Sequence, residues 1–230
     1  HTMEGTLWRN VYVGWFDRMD PDGKVWDGVK TIEDVLDRLS AVEAQMTDAD
    51  TPLSGWSLDP IYMDNQRVSR QDLDKVSATR PVGVLHASGH ILNVNSKALE
   101  LAGLLKPGVN HPGIPHGDDG MPTGELYGPD AMTPVAGFVG YDRAMTDCDE
   151  RGLLDYAKLC VRAGVTTSTD LAARLTDESV SMMLNVTARD RFPLRVVPLR
   201  IFFGMSAEEC VEYTKELKEQ STDLLRLGRI

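Results

Sequence analysis

The apolar residues in the first part of the chain predict two strands and three helices. Apolar residues recur at helical spacing from Ile32 to Met46, and Thr31 before them is a residue type that caps helix starts. The other elements are shorter runs bounded by polar or glycine residues. They are strands at 53–58 and 82–85 and helices at 70–75 and 96–101.

Residues 104–135 show neither the helical nor the strand spacing of apolar residues. They are rich in Pro, Gly, His and Asp, which predicts a long ordered loop. Four side chains in this loop have the composition of a metal site: His111, His116, Asp118 and Asp119. Zinc and hard cations need ligands that are held in place, and no predicted strand or helix holds these residues. A solvated loop is therefore the preferred interpretation.

From Cys148 onward the pattern alternates between strands and helices. The predicted elements are helices at 150–162, 177–187 and 206–220 and strands at 165–169, 194–203 and 224–230. Strands that alternate with helices of this length form βα units on a parallel sheet. The chain is therefore assigned to the α/β class, and this part fits an arc of a TIM (β/α) barrel.

Composition excludes several classes of function. The formal net charge of −11 argues against a nucleic-acid surface, and no apolar stretch approaches the roughly 20 residues that span a membrane. The 3 cysteines are odd in number and lack CxxC spacing, which indicates free thiols in a reducing compartment. We therefore expect a cytoplasmic protein with neither a nucleic-acid nor a membrane partner.

Two histidines follow the apolar run at 82–85. His86 and His90 have the spacing that pairs ligands on one helix face, but Gly83, Ser88 and Gly89 disfavour a helix here. A bend at Ser88–Gly89 would separate the two rings, so a shared metal ion is not expected.

The segment that contains these histidines carries a family signature. Gly89-His90, then Asn95-Ser96 and Ala98-Leu99, resemble the Gly-His-x4-Asn-Ser-x-Ala-Leu signature of metal-dependent amidohydrolases of the type 3 group, which includes the N-substituted formamide deformylases. Further landmarks agree in order and spacing along nearly the whole chain. They are the segments at 31–36, 55–56, 70–81, 122–126 and 163–170.

The resemblance implies a partial TIM barrel of the metal-dependent hydrolase type with a large α+β insertion domain. Residues 1–147 would be the insertion domain after the first barrel strand, and residues 148–230 would be βα units of the incomplete barrel. The chain opens on His1 and stops within an apolar segment, so we expect an internal fragment with most family metal ligands outside it. His1 is either one histidine of the family's His-x-His metal pair or a residue left from cloning.

The resemblance also implies a mechanism for the parent protein. One or two divalent ions, zinc in most members, would activate a water that hydrolyses an amide-like C–N bond of a small molecule. A carboxylate would then move the proton to the leaving nitrogen. Nothing in residues 1–230 supplies a full ligand set with a base, so the chain alone is expected to bind zinc weakly and to be inactive.

Four residues are candidates for contacts in such a site. His90, Asp59 and Glu125 match family positions near the substrate, although a structural histidine, a surface turn and a turn into a strand are the respective alternatives. Asp170 follows the strand predicted at 165–169, where barrel active sites lie, and it could equally cap the next helix.

Two other classes of protein are alternatives to a hydrolase for this chain. A non-catalytic α/β binding or structural module predicts that a change at His90 affects stability alone. A nucleotide-binding enzyme or a serine hydrolase would need GxGxxG, GxxxxGK[ST] or GxSxG, and none occurs in the sequence.

Overall fold

The computed structural model describes residues 2–141, 148–201 and 204–229. His1, one of the predicted metal ligands, lies outside the described residues, as do Phe203 and Ile230 at the ends of two predicted strands. In chain order the elements are α1 (Met3–Leu7), β1 (Val11–Tyr12), β2 (Arg18–Met19), β3 (Val25–Trp26), α2 (Ile32–Glu43), β4 (Leu53–Leu58), α3 (Arg70–Val76), β5 (Val82–His86), β6 (Ile91–Val94), α4 (Ser96–Leu101), β7 (Glu125–Tyr127), α5 (Gly128–Ala136), α6 (Glu150–Arg162), β8 (Thr167–Ala173), α7 (Asp177–Thr187), β9 (Arg195–Arg200) and α8 (Ala207–Lys218).

The chain forms two compact units. Unit 1 comprises the described residues of His1–Arg9, Asp20–Lys24 and Ala144–Ile230, and unit 2 those of Asn10–Met19 and Val25–Arg143. Two short N-terminal segments thus group with the C-terminal part. The assignment of 1–147 as an insertion domain and of 148–230 as barrel units stays a prediction.

Unit 2 is built on a five-stranded mixed sheet in the order β1-β4-β5-β6-β7. Strands β1, β4 and β5 are parallel, whereas β6 and β7 run antiparallel to their neighbours. The strands predicted at 53–58 and 82–85 are confirmed. Strand β6 was not predicted, because its residues are mostly buried on both faces and show no alternation of polar and apolar side chains.

Helix starts in unit 2 follow the local sequence closely. Thr31 and Ser69 each accept a hydrogen bond from the backbone N–H three residues later, and Asp34 and Asp72 bond back to the caps. These are complete capping boxes, which confirms both predicted starts. Helix α2 ends at Glu43 rather than Met46.

The prediction of an unbroken loop at 104–135 was wrong in its last third. Strand β7 and helix α5 occupy this region, and Pro129 lies in the first turn of α5, where a helix needs no N–H. Four apolar residues of α5 are buried: Ala131, Met132, Val135 and Ala136. The proline and glycine content favoured a loop in the prediction, although the segment forms a helix whose apolar face packs in the core.

Unit 1 contains a two-stranded parallel sheet, β8-β9, with helices α1, α6, α7 and α8. Helix α6 matches the predicted bounds, as does α7, and Ser206 with Glu209 forms the predicted capping box of α8. The strand predicted at 165–169 instead runs from Thr167 to Ala173.

The strand predicted at 224–230 was wrong in its described part. The segment forms two isolated parallel bridges to β9, Val196 with Leu225 and Leu199 with Arg229. Leu225 and Leu227 are buried and Leu224 is half-buried, but the backbone of the segment does not form a continuous ladder. The residues described in unit 1 therefore show βα units and no closed barrel.

Two further expectations concern the whole of the described chain. No helix in 2–141, 148–201 or 204–229 is long and apolar enough to cross a membrane. Cys148, Cys160 and Cys210 are buried thiols that form no disulfide among the described residues.

Candidate functional site

The carboxyl ends of three neighbouring parallel strands meet at one edge of the sheet in unit 2. Strand β1 leads to Trp15 and Phe16, β4 leads to Asp59, and β5 ends at His86. Open α/β sheets bind ligands at this edge, because loops that follow parallel strands converge there. We call the edge with Trp15, Phe16, Asp59, Tyr62 and His86 the strand-end site.

Strand β4 is irregular just before the strand-end site. Its pairing with β5 shifts register between Trp56 and Leu58, and Ser57 between them has a φ of 76°. A non-glycine residue pays a conformational cost in this region, and such bulges often re-aim side chains beside sites. The bulge places Leu58 opposite His86 and delivers Asp59 next to the end of β5.

His86 is a buried histidine with one defined hydrogen bond. Its Nε2 lies 2.6 Å from Oδ1 of Asn93, and Nδ2 of Asn93 donates to the carbonyl of Val68 at 2.6 Å. Since the amide nitrogen of Asn93 is the donor, its oxygen must accept, and Nε2 of His86 carries the proton. Burial lowers the pKa of His86, and the Asn93 bond and Glu125 oppose this only in part. The neutral imidazole therefore presents an unprotonated Nδ1.

This depressed pKa predicts a pH-dependent stability. An unfolded histidine takes up a proton near pH 6.5, whereas folded His86 stays neutral to lower pH. Stability is therefore unaffected above that pH and falls below it by up to about 1.4 kcal/mol per pH unit, until the folded pKa is reached. Denaturant unfolding of the wild-type chain and of His86→Gln between pH 5 and 7.5 checks this. The exposed His116→Gln is the control, and parallel pH profiles for all three proteins would contradict the prediction.

Glu125 is fixed by two neighbours. Its carboxylate lies 2.8 Å from Nε of Arg67 and accepts a hydrogen bond of 2.8 Å from the hydroxyl of Tyr127. Arg67 also donates to the Tyr127 oxygen and lies over the Tyr127 ring, 5.7 Å from its centroid. Burial raises the pKa of Tyr127, and the bond to Glu125 raises it further. The cluster holds a buried carboxylate with its charge compensated.

Aromatic rings cover the other end of the strand-end site. Trp15 stacks on Tyr62 with ring centroids 5.8 Å apart, and Phe16 meets Tyr62 edge-on at 5.1 Å. Nζ of Lys30 lies 4.8 Å from the Trp15 ring centroid. Phe16 and Tyr62 are still 56% and 45% exposed, so an apolar surface adjoins the polar groups.

The structure brings together some of the predicted substrate contacts. Asp59 follows Leu58, the register partner of His86, and Glu125 is the register partner of Asn93, which bonds to His86. Asp59 also caps a short 3₁₀ turn, and its Oδ1 accepts from the N–H of Ile61 at 3.3 Å. His90 is exposed in the turn between β5 and β6, where its backbone N–H donates to the Ser88 hydroxyl and its carbonyl accepts from the N–H of Gly128. Substrate contact by these three residues stays a prediction.

Arg67, Asn93 and Tyr127 were not predicted from the sequence. No neighbouring residue indicates their role, because the partner is 25 or more residues away in three of their five hydrogen bonds and ion pairs described above. The signal that was available was the single polar residue inside the apolar run at 91–94, since a buried asparagine must find partners.

The polar loop residues do not converge on a metal site. His111 Nδ1 accepts from the N–H of Gly113 at 3.0 Å, and Asp119 pairs with Arg70 at 2.5 Å. These contacts tie the loop to itself and to helix α3, in line with the preferred interpretation. His116 and Asp118 are exposed.

Asp170 lies in unit 1 and its surroundings differ from both earlier interpretations. It sits in the middle of β8 rather than after the strand, and the cap of the following helix is Thr176. Its buried carboxylate accepts hydrogen bonds from the N–H and the hydroxyl of Thr2, at 3.0 and 2.6 Å. Burial raises the pKa of Asp170, but hydrogen bonds, those from Thr2 included, outweigh it and leave the pKa low. A catalytic role for Asp170 stays a prediction.

A metal ion would need at least three suitable ligands at one place. Within 2–141, 148–201 and 204–229 no three His, Cys, Asp or Glu side chains form a group that could hold one. The described residues thus do not supply the ligand set of a complete metal centre.

Comparison with known proteins places the chain in a family. The model of the amidohydrolase family matches residues 14–230. No curated protein sequence matches the chain. Two solved structures align with the chain, both uncharacterized metal-dependent hydrolases. The one from Pyrococcus horikoshii OT3 has a TM-score of 0.53 at 13% identity, and the one from Pyrococcus furiosus has 0.48 at 16%.

Both alignments cover 98% of this chain but 39% and 40% of the two solved chains, so this sequence spans about two fifths of their length. At such low identity the likeness to the first structure supports the fold. The family assignment rests on the match over nearly the whole sequence. The chain belongs to the amidohydrolase family.

Proposed function

We propose that this chain is part of a metal-dependent hydrolase that cleaves an amide-like, non-peptide C–N bond in a small molecule. The observation that carries the proposal is the family match over residues 14–230. The chemistry would be supplied by one or two divalent ions, zinc in the first instance, which make a bound water nucleophilic near neutral pH. N-substituted formamide deformylases are the subgroup that we propose as the nearest functional comparison.

The strand-end site gives this chain a role in binding. His86 offers a neutral acceptor, Asp59 a partly exposed carboxylate, and Phe16 with Tyr62 an apolar surface. Glu125 is oriented by Arg67 and Tyr127, so its substrate contact would be made by a group already fixed before the ligand arrives. These residues would bind and orient the substrate.

The metal ligands would come mostly from residues other than those described, because no three-ligand group occurs in the described ranges. The 230-residue chain is therefore expected to bind zinc weakly and to show no turnover.

The decisive experiment uses the longest natural reading frame that contains this sequence. The purified protein would be dialysed, its metal content measured by elemental analysis, and its hydrolysis of N-substituted formamides and acetamides followed by amine release. We expect one or two divalent ions per chain and amine release that stops on chelation and returns with added zinc. The 230-residue chain, treated identically, is the control.

A longer protein without bound metal and without amine release would contradict the proposal. The alternative, a non-catalytic α/β binding or structural module, would then be preferred. Metal-dependent hydrolysis of a different bond, such as an ester, would contradict the proposed C–N bond. The assignment as a metal-dependent hydrolase would remain.

A further inference from the structure

The strand-end site contains two hydrogen-bond acceptors that the fold does not use. Nδ1 of His86 is unprotonated, and no hydrogen bond to it occurs in the described part of the chain. Asp59 uses one carboxylate oxygen to cap its own turn, and no hydrogen bond or ion pair to the other oxygen occurs there either. A ligand at this place must therefore bring donors.

The two acceptors lie on adjacent strands at the same level. Leu58 is the register partner of His86, and its carbonyl accepts from the N–H of Ala87 at 2.8 Å. Asp59 is the next residue along β4, at the end of the paired strands. Neighbouring strands lie about 4.8 Å apart, so one small ligand can span the two strand ends.

The apolar part of the ligand is indicated by the rings beside Asp59. Tyr62 belongs to the 3₁₀ turn that Asp59 caps, and Phe16 packs edge-on against it with more than half of its surface exposed. Asp17 follows Phe16 and is exposed as well. Partly exposed aromatic side chains next to carboxylates attract organic cations.

The nearby positive charges are already engaged. Arg67 forms its ion pair with Glu125 at 2.8 Å, and Lys30 lies over Trp15 and donates to the Trp15 carbonyl. Arg18 lies 5.8 Å from the Trp56 ring centroid. Because these cations already have partners, the charged groups left for a ligand are the carboxylates of Asp17 and Asp59, which favours a cationic over an anionic ligand.

We propose that the strand-end site binds an organic ammonium ion with an aromatic or other flat apolar substituent. Its N–H groups would donate to Nδ1 of His86 and to Asp59, and its apolar part would lie on Phe16 and Tyr62. The inference rests on the proposed function for its link to chemistry, because hydrolysis of an amide-like C–N bond releases an amine. The site would then hold the amine end of the substrate and the amine product.

Binding to the 230-residue chain tests this without any metal or turnover. The probe is 2-phenylethylammonium chloride, titrated at pH 8 in EDTA-treated buffer and followed by calorimetry and tryptophan fluorescence. We expect saturable one-to-one binding at least about tenfold tighter than that of 2-phenylethanol, which lacks the charge, and of tetramethylammonium, which lacks N–H donors. Equal affinity for the three probes, or none, would overturn the proposal.

A spectroscopic readout keeps the test independent of variant folding. Long-range ¹H–¹⁵N spectra of the histidine rings should show the Nε2–H tautomer for His86 in the free protein. Saturating probe should move the His86 Nδ1 signal and leave that of His116 unchanged. A His86 ring protonated on Nδ1, or a signal that does not respond to the probe, would contradict the proposed contact.

Two variants locate the ligand. Asp59→Asn keeps the cap oxygen and removes the charge, and we expect it to weaken probe binding about tenfold. Tyr62→Ala should weaken it to a similar degree through loss of the ring face. Asp118→Asn, in the exposed loop, is the matched control. Equal binding by all three variants and the wild type would place the probe elsewhere and refute the site.

The outcome separates this inference from the proposed function. Metal-dependent amine release by the longer protein, with no probe binding here, would retain the hydrolase and reject the ammonium site. Probe binding to the 230-residue chain, together with a longer protein that is inactive and metal-free, would retain the ammonium site and reject the hydrolase.

Discussion

Replacing Asn95 by alanine is expected to destabilise unit 2 by about 4 kcal/mol, because one buried amide serves four backbone groups. Its Oδ1 accepts from the N–H groups of Val82 and Ala98, at 3.1 and 3.0 Å. Its Nδ2 donates to the carbonyls of Ser77 and Arg80, both at 2.8 Å. Asn95 is 0% exposed, so water cannot readily replace the lost bonds.

The measurement is urea unfolding followed by circular dichroism and fluorescence. Asn110→Ala is the matched control, since Asn110 is exposed in the loop after α4 and its loss should change the free energy of unfolding by less than about 0.5 kcal/mol. If both variants shift the transition equally, Asn95 does not have the structural role that we assign to it.

The second large effect is expected in unit 1, where Gly5→Ala should destabilise the packing of α1 on α6 by about 3 kcal/mol or more. A Cβ added at Gly5 would lie 1.9 Å from the carbonyl oxygen of Gly152 and 2.7 Å from the backbone nitrogen of Tyr156. Both are backbone atoms, so relief requires one helix to move. Intrinsic helix propensity would favour alanine by about 1 kcal/mol, which makes the direction of the change diagnostic.

Thermal unfolding of Gly5→Ala and of Gly117→Ala provides the test. At Gly117 the nearest atom to an added Cβ is Oδ1 of Asp119 at 3.2 Å, on a side chain that can turn away. We expect a marked decrease in melting temperature for the first variant and little change for the second. A stabilised Gly5→Ala protein would show that α1 does not pack closely against α6.

The local elements were predictable where their cause is local. Thr31, Ser69 and Ser206 each bond to a backbone N–H three residues away, so a pattern of four residues is enough to predict a helix start. The strand at 53–58 was equally clear from its uninterrupted run of small and apolar residues. In these cases the residues that stabilise the element are the same neighbouring residues from which it is predicted.

Elements whose stability depends on distant partners were missed or displaced. Helix α5 is built from glycine- and proline-rich sequence and owes its place to burial of Ala131, Met132 and Val135. The segment 224–229 reads as a strand but pairs with β9 at two positions only, within its described residues. Apolar content shows that such segments are buried, and it does not show which backbone pairs with them.

The sequence alone therefore determined the α/β class, most helix bounds and the family resemblance, because capping, periodicity and motif spacing are properties of neighbouring residues. The tertiary structure decided the strand-end site. Leu58 lies opposite His86, with Asp59 next to it, because the register of β4 on β5 shifts at Ser57, and Glu125 pairs with Arg67 across 58 positions of the chain. Contacts between residues so far apart depend on how strands pair, and strand pairing is fixed only when the whole sheet forms.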